Sequence, residues 1–134
     1  MPGKKAVESL KAPKAIGPYS QAVSIKGFVF VSGQIALNPE TGKIVEGGIA
    51  EHVNRIFDNI EALLSGAGLS LENVVRVEVF LKDLDDFKEM NAVYAERFSS
   101  CKVKPARQTI QAAKLPMDAL IEISCIAFAG KAGK

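Results

Sequence analysis

The feature that most constrains the fold is a helical repeat of apolar residues in the middle of the chain. Apolar residues at this spacing are typical of an amphipathic helix with one buried face. The repeat consists of Ile49, Val53, Ile56, Ile60, Leu63, Leu64 and Ala67. A second helix is predicted after Asp83 or Asp85, with an apolar face of Leu84, Phe87, Met90, Tyr94 and Phe98. Two such helices supply enough cover for one face of one sheet.

Strand-like segments surround these two helices. They are residues 19–25, 28–32, 73–82, 105–111 and 119–128. Lys26-Gly27 joins the first two and is typical of a hairpin turn. The sequence therefore predicts an α+β fold of order β-β-α-β-α-β-β, with two helices on one face of a mixed sheet. We expect a single domain over 1–134, with residues 1–15 and 129–134 loosely ordered.

The last predicted strand is largely apolar on both of its faces. One face carries Ile121, Ile123, Cys125 and Ala127, and the other carries Leu120, Glu122, Ser124, Ile126 and Phe128. Because the two helices cover only one face of the sheet, the other face needs a different cover. We therefore expect a homo-oligomer with closed symmetry and with sites where the sheets of different subunits meet.

Composition and charge exclude several classes of function. The 134 residues are 48% hydrophobic with a net charge of +2, and the positive residues are scattered, so charge does not indicate a nucleic-acid partner. No apolar run approaches a membrane span. The first ten residues lack the apolar core of a secretory signal. A cytoplasmic protein is the expectation, with the mitochondrial matrix as the alternative.

Metal, nucleotide and covalent chemistry have no motif in this chain. The only histidine, His52, lies beside the apolar repeat, and we expect it on the helix surface. Cys101 and Cys125 are expected to be buried or bystander thiols rather than a disulfide pair. One histidine and two distant cysteines do not provide zinc spacing or a Cys-His nucleophile. The sequence predicts no metal and no cofactor.

Arg107 and Glu122 are charged residues within otherwise mostly apolar strands, where charges need a partner or a function. One interpretation is a structural ion pair between neighbouring strands or subunits. The other is a site in which the planar guanidinium of Arg107 binds a substrate carboxylate in bidentate fashion. Glu122 would then position a water molecule or act as a general base.

Further candidate residues lie near strand ends. Tyr19 follows Gly17-Pro18 and is either a core aromatic or a site residue. At Ser32-Gly33 the glycine permits either a close backbone approach by a substrate or a bulge. Asn91, on the second helix, has the pattern of a buried hydrogen-bonding residue with a structural role.

Taken together, these motifs closely resemble those of the RidA/YjgF family of reactive intermediate deaminases. The resemblance covers about Ala12 to Ala127, and Pro105-Ala106-Arg107 is its most specific part. The other matching stretches, in chain order, are residues 15–21, 32–35, 38–42, 79–84, 90–94, 115–116 and 121–123.

The resemblance implies a chorismate-mutase-like fold and a homotrimer with three sites at subunit interfaces. It implies hydrolysis of 2-imino acids, such as 2-iminopropanoate and 2-iminobutanoate, to 2-keto acids and ammonia, which protects pyridoxal-phosphate enzymes. The candidate catalytic residues are Glu122, Arg107 and Tyr19. The candidate substrate-binding residues are Arg107, Gly33, Ser32, Thr109 and Asn91.

The chain departs from many members of the family at Thr109, where they carry cysteine. Two rival functions remain open beside imine hydrolysis. One is a trimeric binding module with an RNA-cleaving, translation-inhibiting or chaperone-like role. The other is a chorismate mutase, whose dianionic substrate should require more than one arginine in the site.

Overall fold

The computed structural model describes residues 3–130 and has two helices packed on one mixed sheet. The helices are α1 (Ile49–Gly66) and α2 (Phe87–Arg97). The strands are β1 (Lys5–Val7), β2 (Ala22–Ile25), β3 (Phe28–Gln34), β4 (Val74–Leu81), β5 (Ala106–Gln111) and β6 (Ile121–Phe128). The predicted α+β fold class is confirmed.

The strands lie in the order β1-β2-β3-β6-β4-β5. Neighbours are antiparallel except β4 and β5, which are parallel. Lys26 and Gly27, with φ of 50° and 89°, form the predicted turn between β2 and β3, because this type of hairpin needs positive φ at both positions. Parallel neighbours need a crossover connection, and α2 lies within the one from β4 to β5. β5 is consequently an edge strand.

The core lies between the helices and one face of the sheet, called here the helix face. The helical repeat of α1 is fully buried from Val53 to Leu64. Phe57 packs edge-on against Tyr94 of α2 and against Phe98, which caps the C-terminus of α2, with ring centroids 5.8 and 5.4 Å apart. Such aromatic pairs stabilise beyond their area of contact, and they fix α2 against α1.

The N-terminal segment differs from its prediction. β1 lies inside the segment 1–15 that we expected to be loosely ordered, and it pairs with β2. The segment after β1 is held by the buried side chain of Gln21, which accepts from Ser9 N at 3.0 Å and donates to the Pro13 carbonyl at 2.7 Å. A polar residue with several backbone partners orders this segment without an apolar pattern. Residues 1–2 and 131–134 lie outside the described residues.

The prediction for His52 is wrong, since only 5% of the residue is exposed. The buried stripe of α1 is wider than the apolar repeat because it also includes Phe57 and Asn59. His52 is three residues after Ile49, so it falls on the same face. Both cysteines are buried and free, as predicted.

On the opposite face of the sheet, called here the open face, none of the helices within residues 3–130 is packed. Phe28, Phe30, Phe128 and Ile110 lie on it and are each about two-fifths exposed. Phe28 and Phe128 contact each other across β3 and β6, with centroids 4.8 Å apart. Contiguous exposed apolar residues of this kind mark interaction surfaces, and oligomerisation through this face stays a prediction.

Candidate functional site

Arg107 and Glu122 lie on opposite faces of the sheet. In the strand register, Arg107 lies opposite Val77, and Val77 lies opposite the buried Cys125, so the side chain of Arg107 is on the helix face. Glu122 lies opposite Phe80, which is three residues after Val77 on β4. Because side chains alternate between the two faces along a strand, the side chain of Glu122 is on the open face. Neither side chain makes an ion pair within residues 3–130. The structural ion pair between strands of one chain is therefore not formed, and the chain carries two separate candidate half-sites.

The first half-site, called here the Glu122 half, is built on β3 and β6. The pairing of these strands shifts between Val31 and Gln34, which places a bulge at Ser32 and Gly33. The Glu122 carboxylate packs directly over Gly33, and a Cβ at Gly33 would lie 2.9 Å from its carboxylate carbon. Glycine is therefore required here because a side chain would displace the carboxylate. The hydroxyl of Ser32 donates to the Ser20 carbonyl at 2.6 Å and holds the bulge.

The Glu122 half lines a cavity of about 570 Å³. Its polar lining includes Tyr19, Gln21, Ser32, Gln34 and Glu122, and its apolar lining includes Ile16, Ile35, Leu37, Pro116 and Met117. A volume of this size is typical of a small-molecule site.

Tyr19 is not a core aromatic. β2 begins at Ala22 rather than at Tyr19, so Tyr19 lies in the preceding loop and is 54% exposed. Its hydroxyl accepts a long hydrogen bond of 3.4 Å from the Ile16 backbone. The structure thus brings Tyr19, Ser32, Gly33 and Glu122 together at one cavity, as four of the predicted site residues.

Burial raises the pKa of the Glu122 carboxyl above its ordinary value. Desolvation has this effect because it disfavours the charged form. Among the described residues the carboxylate has no hydrogen-bonding or ionic partner to offset it. A half-buried carboxylate in a cavity, without a partner among residues 3–130, is typical of a group that acts on a ligand.

The second half-site, called here the Arg107 half, is built on β5 and α2. Arg107 Nη1 donates to Asn91 Oδ1 at 2.7 Å. The guanidinium carbon lies 4.5 Å from the ring centroid of Tyr94 and 5.5 Å from that of Phe87. Stacking and one hydrogen bond fix the plane of the guanidinium while leaving other N–H groups free to bind an anion.

Two hydroxyl groups in the Arg107 half have no partner among the described residues. Thr109 lies two residues after Arg107 on the same face, and its Oγ1 is buried without a hydrogen bond, as is the hydroxyl of Tyr94. Burial raises the pKa of Tyr94 to about 12, so it remains a neutral donor at physiological pH. Unpaired buried hydroxyls commonly mark the place of a water molecule or of a partner.

Tyr94 and Phe87 contact Arg107, although the sequence pattern predicts them only as part of the apolar face of the second helix. Their spacing carried a signal, because positions 87, 91 and 94 share one helix face. Asn91, expected to be structural, does have a structural partner, and that partner is Arg107.

In residues 3–130, no cluster of His, Cys, Asp and Glu is arranged to hold a metal ion. In the same range, no helix is long and apolar enough to cross a membrane.

Comparison with known proteins extends over almost the whole chain. The family model described as Endoribonuclease L-PSP matches residues 9–129. A RutC family protein of Pyrococcus abyssi is 51% identical over 93% of this chain and 97% of its own length. RutC family protein UK114 of Drosophila melanogaster is 44% identical over 95% of this chain and 91% of its own length.

Solved structures agree with this assignment. The crystal structure of E. coli TdcF with bound serine superposes with a TM-score of 0.89 at 38% identity, covering 94% of this chain and 99% of that one. Because the family model spans most of the chain and its relatives match nearly end to end, the chain belongs to the L-PSP family, also known as the RidA/YjgF family.

Proposed function

We propose that this protein hydrolyses reactive 2-imino acids to 2-keto acids and ammonia, at sites shared between neighbouring copies of the chain. In each site the Glu122 half comes from one subunit and the Arg107 half from the next. The observation that carries the proposal is the separation of these two groups on opposite faces of one sheet. Each is prepared for a ligand, and neither reaches the other within one chain.

Hydrolysis of a 2-imino acid needs only a carboxylate-binding group and one general base from the protein. A protonated 2-imino acid is already electrophilic at C2. Arg107 binds the substrate carboxylate through two parallel N–H···O hydrogen bonds. The Glu122 carboxylate takes a proton from a water molecule while its oxygen forms a bond to C2 and the π electrons of the C=N bond move to nitrogen. Glu122 then returns this proton to the nitrogen. The C2–N bond breaks and ammonia leaves as the O–H electrons of the new hydroxyl form the C=O bond, and the hydroxyl proton passes back to the Glu122 carboxylate, which leaves a 2-keto acid.

The other predicted residues complete this arrangement. Tyr19 places a hydroxyl at the cavity, and the bulge at Ser32 and Gly33 exposes backbone groups beside Glu122. Asn91 holds the guanidinium of Arg107, and Thr109 lies next to it on the strand. Because the reaction is a hydration followed by loss of ammonia, holding the reactants in place supplies much of the acceleration.

A homotrimer is the assembly we propose for these shared sites. The exposed phenylalanines of the open face supply an apolar surface for a neighbouring subunit, and β5 is an edge strand that carries Arg107. Cyclic symmetry makes every interface equivalent, so three subunits give three sites. The bound serine in E. coli TdcF supports a small amino-acid-like ligand, since serine shares a carboxylate and an α-nitrogen with a 2-imino acid.

The test is release of ammonia and keto acid from freshly generated 2-iminopropanoate. We expect acceleration by the wild-type protein and its loss in Arg107→Ala. Failure of the folded, oligomeric wild type to accelerate the reaction would reject imine hydrolysis and favour a binding module.

RNA cleavage, which the description of the family model names, is the rival activity. The only histidine is buried in α1 and is not available to an RNA strand. Salt separates the two activities, because RNA binding weakens steeply as salt rises, whereas imine hydrolysis should change little.

A further inference from the structure

We propose that Met117 sets the preference of the Glu122 cavity for the substrate side chain. The preferred substrates would be 2-imino acids whose side chain is apolar and longer than a methyl group. This inference rests on the proposed function and concerns only which imines the site accepts.

The cavity has an apolar wall that the smallest substrate does not need. It measures about 570 Å³ and includes Ile35, Leu37, Pro116 and Met117 in its lining. Cavities of this size accept ligands well beyond the about six non-hydrogen atoms of 2-iminopropanoate, and in the proposed assembly this space is shared with the neighbouring subunit's Arg107 half. Glu122 acts at C2, so a longer side chain on C2 is the part of a substrate that has room to contact this wall.

Met117 lines this cavity from a strained turn. Met117 and Asp118 have φ of 54° and 55°, a left-handed conformation that residues other than glycine seldom adopt. Two consecutive residues of this kind persist only where the surrounding structure imposes them, and such places are often functional.

Both ends of the turn are anchored independently of Met117. Leu115 and Ala119 are buried against Ile35 in a small apolar cluster. The Asp118 carboxylate forms an ion pair with Lys82 Nζ at 3.0 Å. The anchors account for the position of the turn, so the side chain at its apex is not needed for packing.

The side chain of Met117 has the properties of a ligand contact. The residue is 62% exposed although it is large and apolar. Methionine is unbranched and flexible, so it adapts to apolar groups of different shape. A contact with an apolar substrate side chain would remove this surface from water and favour longer substrates over the methyl compound.

The experiment measures kcat/KM for imines freshly generated from leucine and from alanine, and compares their ratio between proteins. We expect Met117→Ala to lower the leucine-to-alanine ratio by about tenfold, in line with the usual value of an apolar contact in substrate discrimination. Met117→Gly should lower the ratio similarly without loss of thermal stability, since glycine accepts the left-handed conformation. Val103→Ala is the matched control, because Val103 is 82% exposed and lies outside the cavity lining, so the ratio should stay constant.

An unchanged ratio in both Met117 variants, or an equal fall in kcat/KM for both imines, would overturn the role of Met117. Failure of the wild type to accelerate either imine is a different result, because it would reject the proposed function itself.

Discussion

The Glu122 half and the Arg107 half hold their charged groups in opposite ways. Glu122 lies near the middle of the sheet, on the open face, over a glycine and without a partner in the part of its chain that the structure describes. Arg107 lies on β5, an edge strand, and its side chain is on the helix face. Asn91, Tyr94 and Phe87 fix the plane of its guanidinium. One charge is raised in energy by burial, and the other is held by contacts before any ligand arrives. Such a division suits a reaction in which the carboxylate moves a proton and the guanidinium only binds.

The comparison also explains why the function would depend on assembly. β4 separates the two strands, and the sheet itself separates the two faces, so no side-chain rotation brings Arg107 to Glu122 within one chain. A neighbouring copy that supplies its edge strand removes this obstacle.

The largest effect should come from Glu122→Gln. The amide keeps the shape over Gly33 but cannot accept a proton from water, so kcat should fall by about 10²–10⁴-fold, the usual contribution of one general base. KM should change little. Steady-state kinetics with 2-iminopropanoate measure both parameters, with Glu72→Gln as the control for loss of an exposed carboxylate. Normal turnover in Glu122→Gln would make this residue structural.

Arg107→Lys should have a smaller effect that appears mainly in KM. Lysine keeps the charge but cannot make two parallel hydrogen bonds or stack on Tyr94, so kcat/KM should fall by about 10–100-fold. The same kinetics measure it, and Arg55→Lys is the matched control, because Arg55 hydrogen-bonds to Asn59 within α1. Near wild-type kcat/KM in Arg107→Lys would remove the bidentate contact from the site.

Mixed oligomers of Glu122→Gln and Arg107→Ala test whether each site is shared between two subunits. If Glu122→Gln and Arg107→Ala subunits are unfolded, mixed in equal amounts and refolded together, a site is intact only where each partner supplies its unmutated half. Random assembly gives about a quarter of the wild-type activity. Each variant refolded alone is the control. No recovery in refolded mixed oligomers would mean that both groups act from the same chain.

The sequence predicted the elements of both halves but not their separation. Alternation along residues 119–128 indicated which residues share a face with Glu122. It gave no relation between that face and Arg107, because the relation depends on the strand order β6-β4-β5 and on register, both set by distant contacts. The pattern predicts a strand from Tyr19, whereas Tyr19 N donates to the Gly17 carbonyl at 2.9 Å in a turn that precedes β2. The left-handed conformation of Met117 could not be predicted from the sequence, since methionine is not typical of left-handed turns.

The smallest effect concerns stability, and its sign separates a functional carboxylate from a structural one. Burial raises the pKa of Glu122 in the folded chain above its unfolded value, so the folded state holds this proton to higher pH. The contribution of Glu122 to stability is therefore greatest below the unfolded pKa and is lost as pH rises through the folded pKa. At neutral pH, Glu122→Gln should raise the melting temperature, on the order of 1–3 °C, and the gain should shrink as pH approaches the ordinary glutamate value of 4.5. Thermal unfolding of both proteins at several pH values measures this. Destabilisation of Glu122→Gln at neutral pH would instead show a carboxylate held by an ionic partner, because loss of a buried paired charge costs stability.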